Sequence, residues 1–200
     1  SACLVGSEMC IRDRPKVLTE GTQVELSTGK AQDLVVRLEQ GKVDLLCCYE
    51  HPALSVPLSP ARYRYMTLAT DKLVPVSQVD ARGRARYTLQ DGGAPVPLIT
   101  YTGGLAMERI VGDRLETTPY ALTPFVRSDS LDAAHGAVAK GVGVAWLPWS
   151  MVAADCRRGA LAALGGRSEE IAFEVRLYRP RARLTDLAEA AWEATANRKA

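Results

Sequence analysis

The sequence predicts an α/β protein built on mostly parallel sheets, and two stretches of chain carry that prediction. In each, an apolar strand, an amphipathic helix and a further apolar strand follow one another. That order lays strands parallel in one sheet, with the helix crossing over between them. A third stretch, near the end, alternates apolar and polar residues and adds a half-buried strand.

The first unit starts at Val24 to Leu26, apolar-polar-apolar, and meets Ser27-Thr28-Gly29, a turn or cap signal. Ala31, Leu34, Val35 and Leu38 then recur at i, i+3, i+4 and i+7, the face of a helix that Gly41 stops. Val43 to Cys48 follows as a compact apolar run, the pattern of a strand covered on both faces. In the second unit, Pro97 to Thr102 reads as a strand ending at Gly103-Gly104. Met107, Ile110, Val111 and Leu115 mark the helix after it, and Tyr120 to Val126 the next strand. Leu131, Ala134, His135 and Val138 share one helix face, with Ser128 or Asp129 as N-cap and Gly141 as stop. Val142 to Trp146 is a buried strand cut off by Leu147-Pro148, and a short helix runs from Trp149 to about Arg157. Ile171, Phe173, Val175 and Leu177 alternate with polar neighbours, and a last helix carries the stripe Leu184, Leu187, Ala188, Ala191 and Trp192. Between the halves, Gln78 to Gly93 is rich in Arg, Asp and Gly and reads as a loop or a poorly ordered connection.

Composition narrows the function classes. The chain has 200 residues, 47% hydrophobic and 24% charged, so a packed core is expected and disorder is not. A net charge of +2 gives no strong pull on nucleic acid or membrane surfaces. No run approaches the roughly 18 apolar residues of a membrane span, and Ser1 to Arg14 lacks the pattern of a signal peptide. Five cysteines, two of them adjacent at Cys47 and Cys48, make no disulfide framework, so a reducing, cytoplasmic location is expected.

No catalytic constellation can be assembled. Of the two histidines, His135 lies on an apolar helix face, where a satisfied core residue is the ordinary outcome. His51 stands in a loop without partner spacing, and a metal site needs three or four converging donors. Gly29-Lys30 lacks the rest of a phosphate loop. Cys47 and Cys48 read as strand core rather than redox switches. The expectation is no enzyme activity, no cofactor and no metal. What the sequence offers instead is polar strand-to-helix turns, where open α/β sheets bind ligands against helix N-termini. These are Ser27-Thr28-Gly29, Thr102-Gly103-Gly104 and Arg127-Ser128-Asp129, with the strand end Tyr49-Glu50 as a fourth contributor. Singly each is as well explained by capping; together they suggest a polar cleft for a small anion or polar molecule.

The run QDLVVRLEQGKVDLLCC, residues 32–48, resembles the helix-Gly-strand signature of LysR-type transcriptional regulators. The run SDSLDAAHGAVAKGVGVAWLP, residues 128–148, is similar to that family's V-x-x-G-x-G-[VI]-[AG]-x-L-P segment. Leu68 to Val76 and Tyr101 to Leu115 fit as well, and the resemblance covers roughly residues 15–198, most of an effector-binding domain. Within the family, the hypochlorite-responsive subgroup is the nearest in character.

The resemblance implies a fold like that of type II periplasmic binding proteins. Two lobes, each a mixed, mostly parallel sheet flanked by helices, are joined by two crossover strands, with effector bound between them. Lobe one would be residues 15–74 and 173–200, and lobe two residues 75–172. Ser27, Thr28, Tyr49, Glu50, Thr102, Gly103, Gly104, Arg127, Ser128 and Asp129 would be effector-binding. Met107 matches a position where the hypochlorite-responsive subgroup carries methionine, and its sulfoxide would be polar. The partners implied are a small-molecule effector and further copies of the chain, as a homodimer or tetramer. Operator DNA would be reached only through a winged helix-turn-helix domain, which the sequence lacks. Ser1 to Arg14 has no opening strand-loop-helix pattern and reads as foreign or truncated sequence. Two other readings stay open: oxidant sensing through methionine, and a free-standing solute-binding protein.

Overall fold

A computed structural model of the chain describes residues 2–5, 24–54, 56–102 and 104–197. In chain order the strands are β1 (Ala2–Val5), β2 (Val24–Leu26), β3 (Leu45–Glu50), β4 (Tyr63–Gln78), β5 (Val96–Tyr101), β6 (Leu122–Ser128), β7 (Ala145–Pro148), β8 (Leu161–Ala163) and β9 (Ile171–Pro180). The helices are α1 (Ala31–Glu39), α2 (Ala106–Leu115), α3 (Leu131–Ala139), α4 (Trp149–Arg157) and α5 (Asp186–Asn197). The chain divides into two units, residues 1–50, 55–69 and 174–200, and residues 51–54 and 70–173. β4 and β9 are hydrogen-bonded neighbours, and each contributes residues to both units.

In unit one, β1 pairs parallel with β2 on one side and β3 on the other, and β3 pairs antiparallel with β9. The register sets Leu46 opposite Tyr178, Cys48 opposite Arg176 and Glu50 opposite Glu174. Leu34, Val35 and Leu38 of α1 pack with Val43, Leu46, Leu58, Tyr63 and Tyr178. Ala2–Val5 is a strand within Ser1 to Arg14, where the sequence shows no opening strand-loop-helix pattern. Four residues are too few to show a period, and the two neighbouring strands supply its definition. The rest of that segment lies outside the described residues.

Unit one contains an ion pair between the buried Arg179 and the partly exposed Glu189. Arg179, 1% exposed, makes two 2.5 Å contacts to the Glu189 carboxylate, donates to the Pro180 and Ala182 carbonyls, and stands over the Trp192 ring. These contacts, with a bond from Leu184 N–H, hold the Glu189 carboxyl down at about 2. The guanidinium is the leading cause.

In unit two, β5 and β6 run parallel, and the far half of β4 pairs antiparallel with β7 and β8. Val144, just before β7, exchanges backbone bonds with β5 at Pro97 and Ile99. Met107, Ile110 and Val111 of α2, and Ala134 and Val138 of α3, are buried. Trp146 is fully buried; its Nε1 donates to the Glu169 carbonyl, and its own carbonyl accepts from the Tyr101 hydroxyl.

Helices α1, α3 and α4 end alike. Gly41, Gly141 and Gly159 have positive φ, and each, with the residue after it, donates a Schellman pair of bonds back to the last turn. Two glycines in the second motif therefore have separate causes. Gly141 supplies the left-handed turn, whereas a Cβ at Gly143 would lie 2.6 Å from the Pro97 carbonyl oxygen, so Gly143 lets the chain approach β5.

Two sequence expectations are corrected. The N-cap of α3 is Ser130, whose Oγ accepts from Ala133 N–H, rather than Ser128 or Asp129. Ser128 serves one step earlier, with its Oγ bonded to both the N–H and the carbonyl of Ser130. Leu147 and Pro148 belong to β7 because β4 continues opposite them, at Val74 and Leu73. Gln78 to Gly93 is a hydrogen-bonded loop. Asp80 Oδ1 accepts from Arg82 and Arg84 N–H, and the Tyr87 hydroxyl donates to the Gly141 carbonyl.

Candidate functional site

The candidate residues of unit one sit at the carboxyl ends of β2 and β3, and most of their polar capacity is used within the unit. Ser27 Oγ accepts from Arg37 Nη1 at 2.9 Å. Thr28 is exposed and Tyr49 half-buried. Glu50 accepts from the Tyr178 hydroxyl at 3.0 Å and pairs with Arg176 Nη1 at 3.3 Å. The same guanidinium donates through Nε to Glu174 at 2.7 Å and lies 4.3 Å above the Tyr65 ring. Thr67 donates to the same Glu174 oxygen. Glu50 is thus one corner of a network on facing residues of β3, β9 and β4.

That network sets the chemistry of its neighbours. Burial, reinforced by the Glu50 charge and opposed by Arg176, pushes the Cys48 thiol up to about 12. Burial likewise carries the Tyr178 hydroxyl to about 12. Cys47 is buried outright. Cys48 therefore lacks the depressed thiol that redox or nucleophilic chemistry requires.

In unit two the candidate residues stand at the ends of the neighbouring parallel strands β5 and β6. Thr102 N–H donates to the Ser128 carbonyl at 2.9 Å, so the two turns are tied to each other. Arg127 is exposed, and its Nη2 donates to Thr102 Oγ1 at 3.1 Å. No carboxylate among the described residues pairs with this guanidinium. Gly104 has φ +78, and its N–H is satisfied by Glu108 of α2. Asp129 is exposed, and Gly103 lies outside the described residues. Ser128 is buried and committed to the entry of α3.

The remaining sequence candidates have plain structural roles. His51 Nδ1 accepts from Ala53 N–H within its own turn. His135 Nε2 lies 2.6 Å from Asp155 of α4, and Arg158 pairs with the same carboxylate. Met107 is 1% exposed, in the first turn of α2. Among the described residues, no group of three His, Cys, Asp or Glu side chains could hold a metal ion. No described helix is long and apolar enough to cross a membrane. The sequence reading missed Arg176, Tyr178 and Tyr65. Arg176 and Tyr178 lie on the alternating strand at the far end of the chain, and only the β3–β9 register brings them to Glu50.

Two α/β units that share the long strands β4 and β9, with helix-Gly-strand junctions in each, define a ligand-binding domain of the periplasmic-binding-protein type. The chain belongs to the LysR substrate binding domain family, whose sequence profile matches residues 19–200. It is 24% identical over 161 residues to YjiE, an HTH-type transcriptional regulator of Escherichia coli (strain K12). That match covers 80% of this chain and 51% of YjiE, so the chain spans about half the length of this curated relative. Among solved structures, the apo regulatory domain of HypT from Salmonella typhimurium superposes with a TM-score of 0.84 at 21% identity, covering 98% of this chain and 93% of that one. DarR of Vibrio fischeri, in complex with DNA, gives a TM-score of 0.83 at 26% identity, covering 98% of this chain and 67% of DarR.

Proposed function

We propose that the chain is the effector-sensing domain of a LysR-type transcription regulator and that its effector is a small organic anion. The observation that carries this reading is Arg127. It is an exposed guanidinium at a strand end, oriented by a hydrogen bond to Thr102 Oγ1 and paired with no described carboxylate. A guanidinium in that setting presents its remaining N–H groups to a carboxylate or phosphate, and the N-termini of α2 and α3 follow the same turns. Thr102 and Asp129 stand with Arg127 in this set. Ligand acts by favouring one arrangement of the domain over another, which alters the geometry of a homodimer or tetramer. Operator DNA is contacted by a separate part of the full regulator.

The test is thermal unfolding of the purified chain against a panel of small organic acids, with its mass in solution followed in parallel. A dose-dependent rise in midpoint with one acid, lost in Arg127→Gln, supports the reading. A rise that Arg127→Gln leaves intact, or no rise with any acid, sinks it. Strictly monomeric behaviour with and without ligand favours a free-standing binding protein.

An oxidant-sensing reading rests on Met107, buried on α2 one turn from Gly104. Transfer of an oxygen from hypochlorite to its sulfur would place a polar sulfoxide in the core of unit two. If Met107→Leu responds to hypochlorite as the parent does, that reading falls.

A further inference from the structure

We infer that unit one carries a second ligand site, a groove beside the carboxyl end of α1 that binds a small organic anion with a flat apolar body. The groove has a volume of about 400 Å³, within the range that holds small organic ligands. Its floor is apolar: Leu38 and Tyr63 are buried beneath it, and Ala61, Pro180 and Ala182 line it. Its charged lining is Arg62, Arg181 and Glu39.

The two arginines are held but not neutralised. Arg181 N–H donates to the Arg62 carbonyl at 2.7 Å, and Arg181 Nε donates to the Pro60 carbonyl at 2.8 Å. The guanidinium is thereby fixed by one edge, and no described carboxylate pairs with its two Nη groups. Arg62 lies 5.5 Å from the Tyr63 ring and pairs with Glu39 at 3.1 Å. That pair is open to solvent, with side chains 66% and 37% exposed, so it is weak and yields to a better partner. Two guanidiniums against one carboxylate leave the rim with a net positive charge.

The groove lies at the carboxyl end of α1, whose partial negative charge works against an anion, so the two guanidiniums must outweigh it. The carbonyls of Arg37 and Leu38 are already taken by the Lys42 and Gly41 N–H groups. Gly41 also has no side chain, and a Cβ there would meet nothing within 4 Å, so this wall of the groove is low. An apolar floor with a guanidinium rim selects a planar acid or phosphate monoester over a bare inorganic ion. None of these residues belongs to the set around Arg127, so this site stands or falls independently of the proposed effector site.

The experiment is a calorimetric titration of the purified chain with phenyl phosphate, with inorganic phosphate run beside it. Saturable binding of phenyl phosphate is expected, weakened about tenfold or more by Arg181→Gln and by Ala182→Trp, which fills the groove. Arg127→Gln should leave that affinity unchanged. Arg181 and Ala182 are exposed, so both variants should unfold at the parent's midpoint, and Arg62→Gln provides a second rim variant. Absence of saturable binding below about 10 mM would overturn the site. So would binding that the rim and filling variants leave intact, or equal affinity for inorganic phosphate.

Discussion

Glu50 and Arg127 are both charged residues at the carboxyl ends of strands, yet the two units treat them differently. In unit one, Glu50 meets a guanidinium and a phenol, and the guanidinium meets a second carboxylate and an aromatic face. In unit two, Arg127 meets one neutral hydroxyl. A charge already compensated by its own unit contributes to stability and has little left for a ligand. A charge oriented but uncompensated contributes little to stability and keeps its electrostatic capacity for something that arrives. Position at a strand end therefore does not distinguish these two residues; the charge balance around each does.

The distinction is sharpest at Arg179, the most deeply compensated charge in unit one. Replacing it with Met removes the buried partner of that pair while Glu189 keeps some access to solvent. The expected loss of unfolding free energy is larger than those for Arg176→Gln and Arg127→Gln, because Arg179 also gives up its bonds to the Pro180 and Ala182 carbonyls and its place over Trp192, and it is read by denaturant titration. A loss below about 1 kcal/mol would mean that compensation inside unit one is not a source of stability. The same pair gives a pH signature. Because the folded Glu189 carboxyl is held down at about 2, its contribution is present above the ordinary glutamate range. It is lost as pH falls from about 4.5 toward 2, and in Arg179→Met this acid-side loss should shrink.

Arg176→Gln should come next, at roughly 1–2 kcal/mol, since it leaves Glu50 and Glu174 facing each other across β3 and β9 without their shared cation. Cys48 offers a reading of the same network at smaller scale. With its thiol near 12, it should resist alkylation at pH 8 in the folded chain and react freely after denaturation. Rapid native-state labelling of Cys48 would show that the network is open rather than packed.

Much of the architecture was legible because the helices, and the strands of both β-α-β runs and of the alternating segment near the end, carry their own periods, and because Gly41 and Gly141 punctuate them; β4 and β8 carry none that was read and are defined by their pairing. The strand β1 was not, since four residues hold no period and only pairing defines them. Half of the candidate site was legible for a similar reason. Thr102 and Arg127 announce themselves as polar residues ending apolar strands, and the parallel register of β5 and β6 then brings them together. The state of Glu50 was not, because its partners Arg176 and Tyr178 lie 126 and 128 residues away in sequence. No local pattern can report a charge balance made by strands so far apart. The N-cap of α3 failed more narrowly: Ser128, Asp129 and Ser130 are all good caps, and the choice fell to Ser130 because Ser128 already bonds to the turn.

The smallest expected stability effect is the one that decides the comparison. Arg127→Gln should change the unfolding free energy of the ligand-free chain by no more than about 0.5 kcal/mol, because it removes an exposed guanidinium held only by the Thr102 hydroxyl. The same substitution should abolish the midpoint rise produced by an organic acid. Arg176→Gln should do the reverse, lowering the midpoint with and without acid by the same amount. A loss above 1 kcal/mol in ligand-free Arg127→Gln would place Arg127 with Arg176, as a group already used by its own fold. Equal stability with lost binding would instead show that unit two keeps one cation unneutralised for its ligand, at a site where a carboxylate two residues along, Asp129, leaves it unpaired.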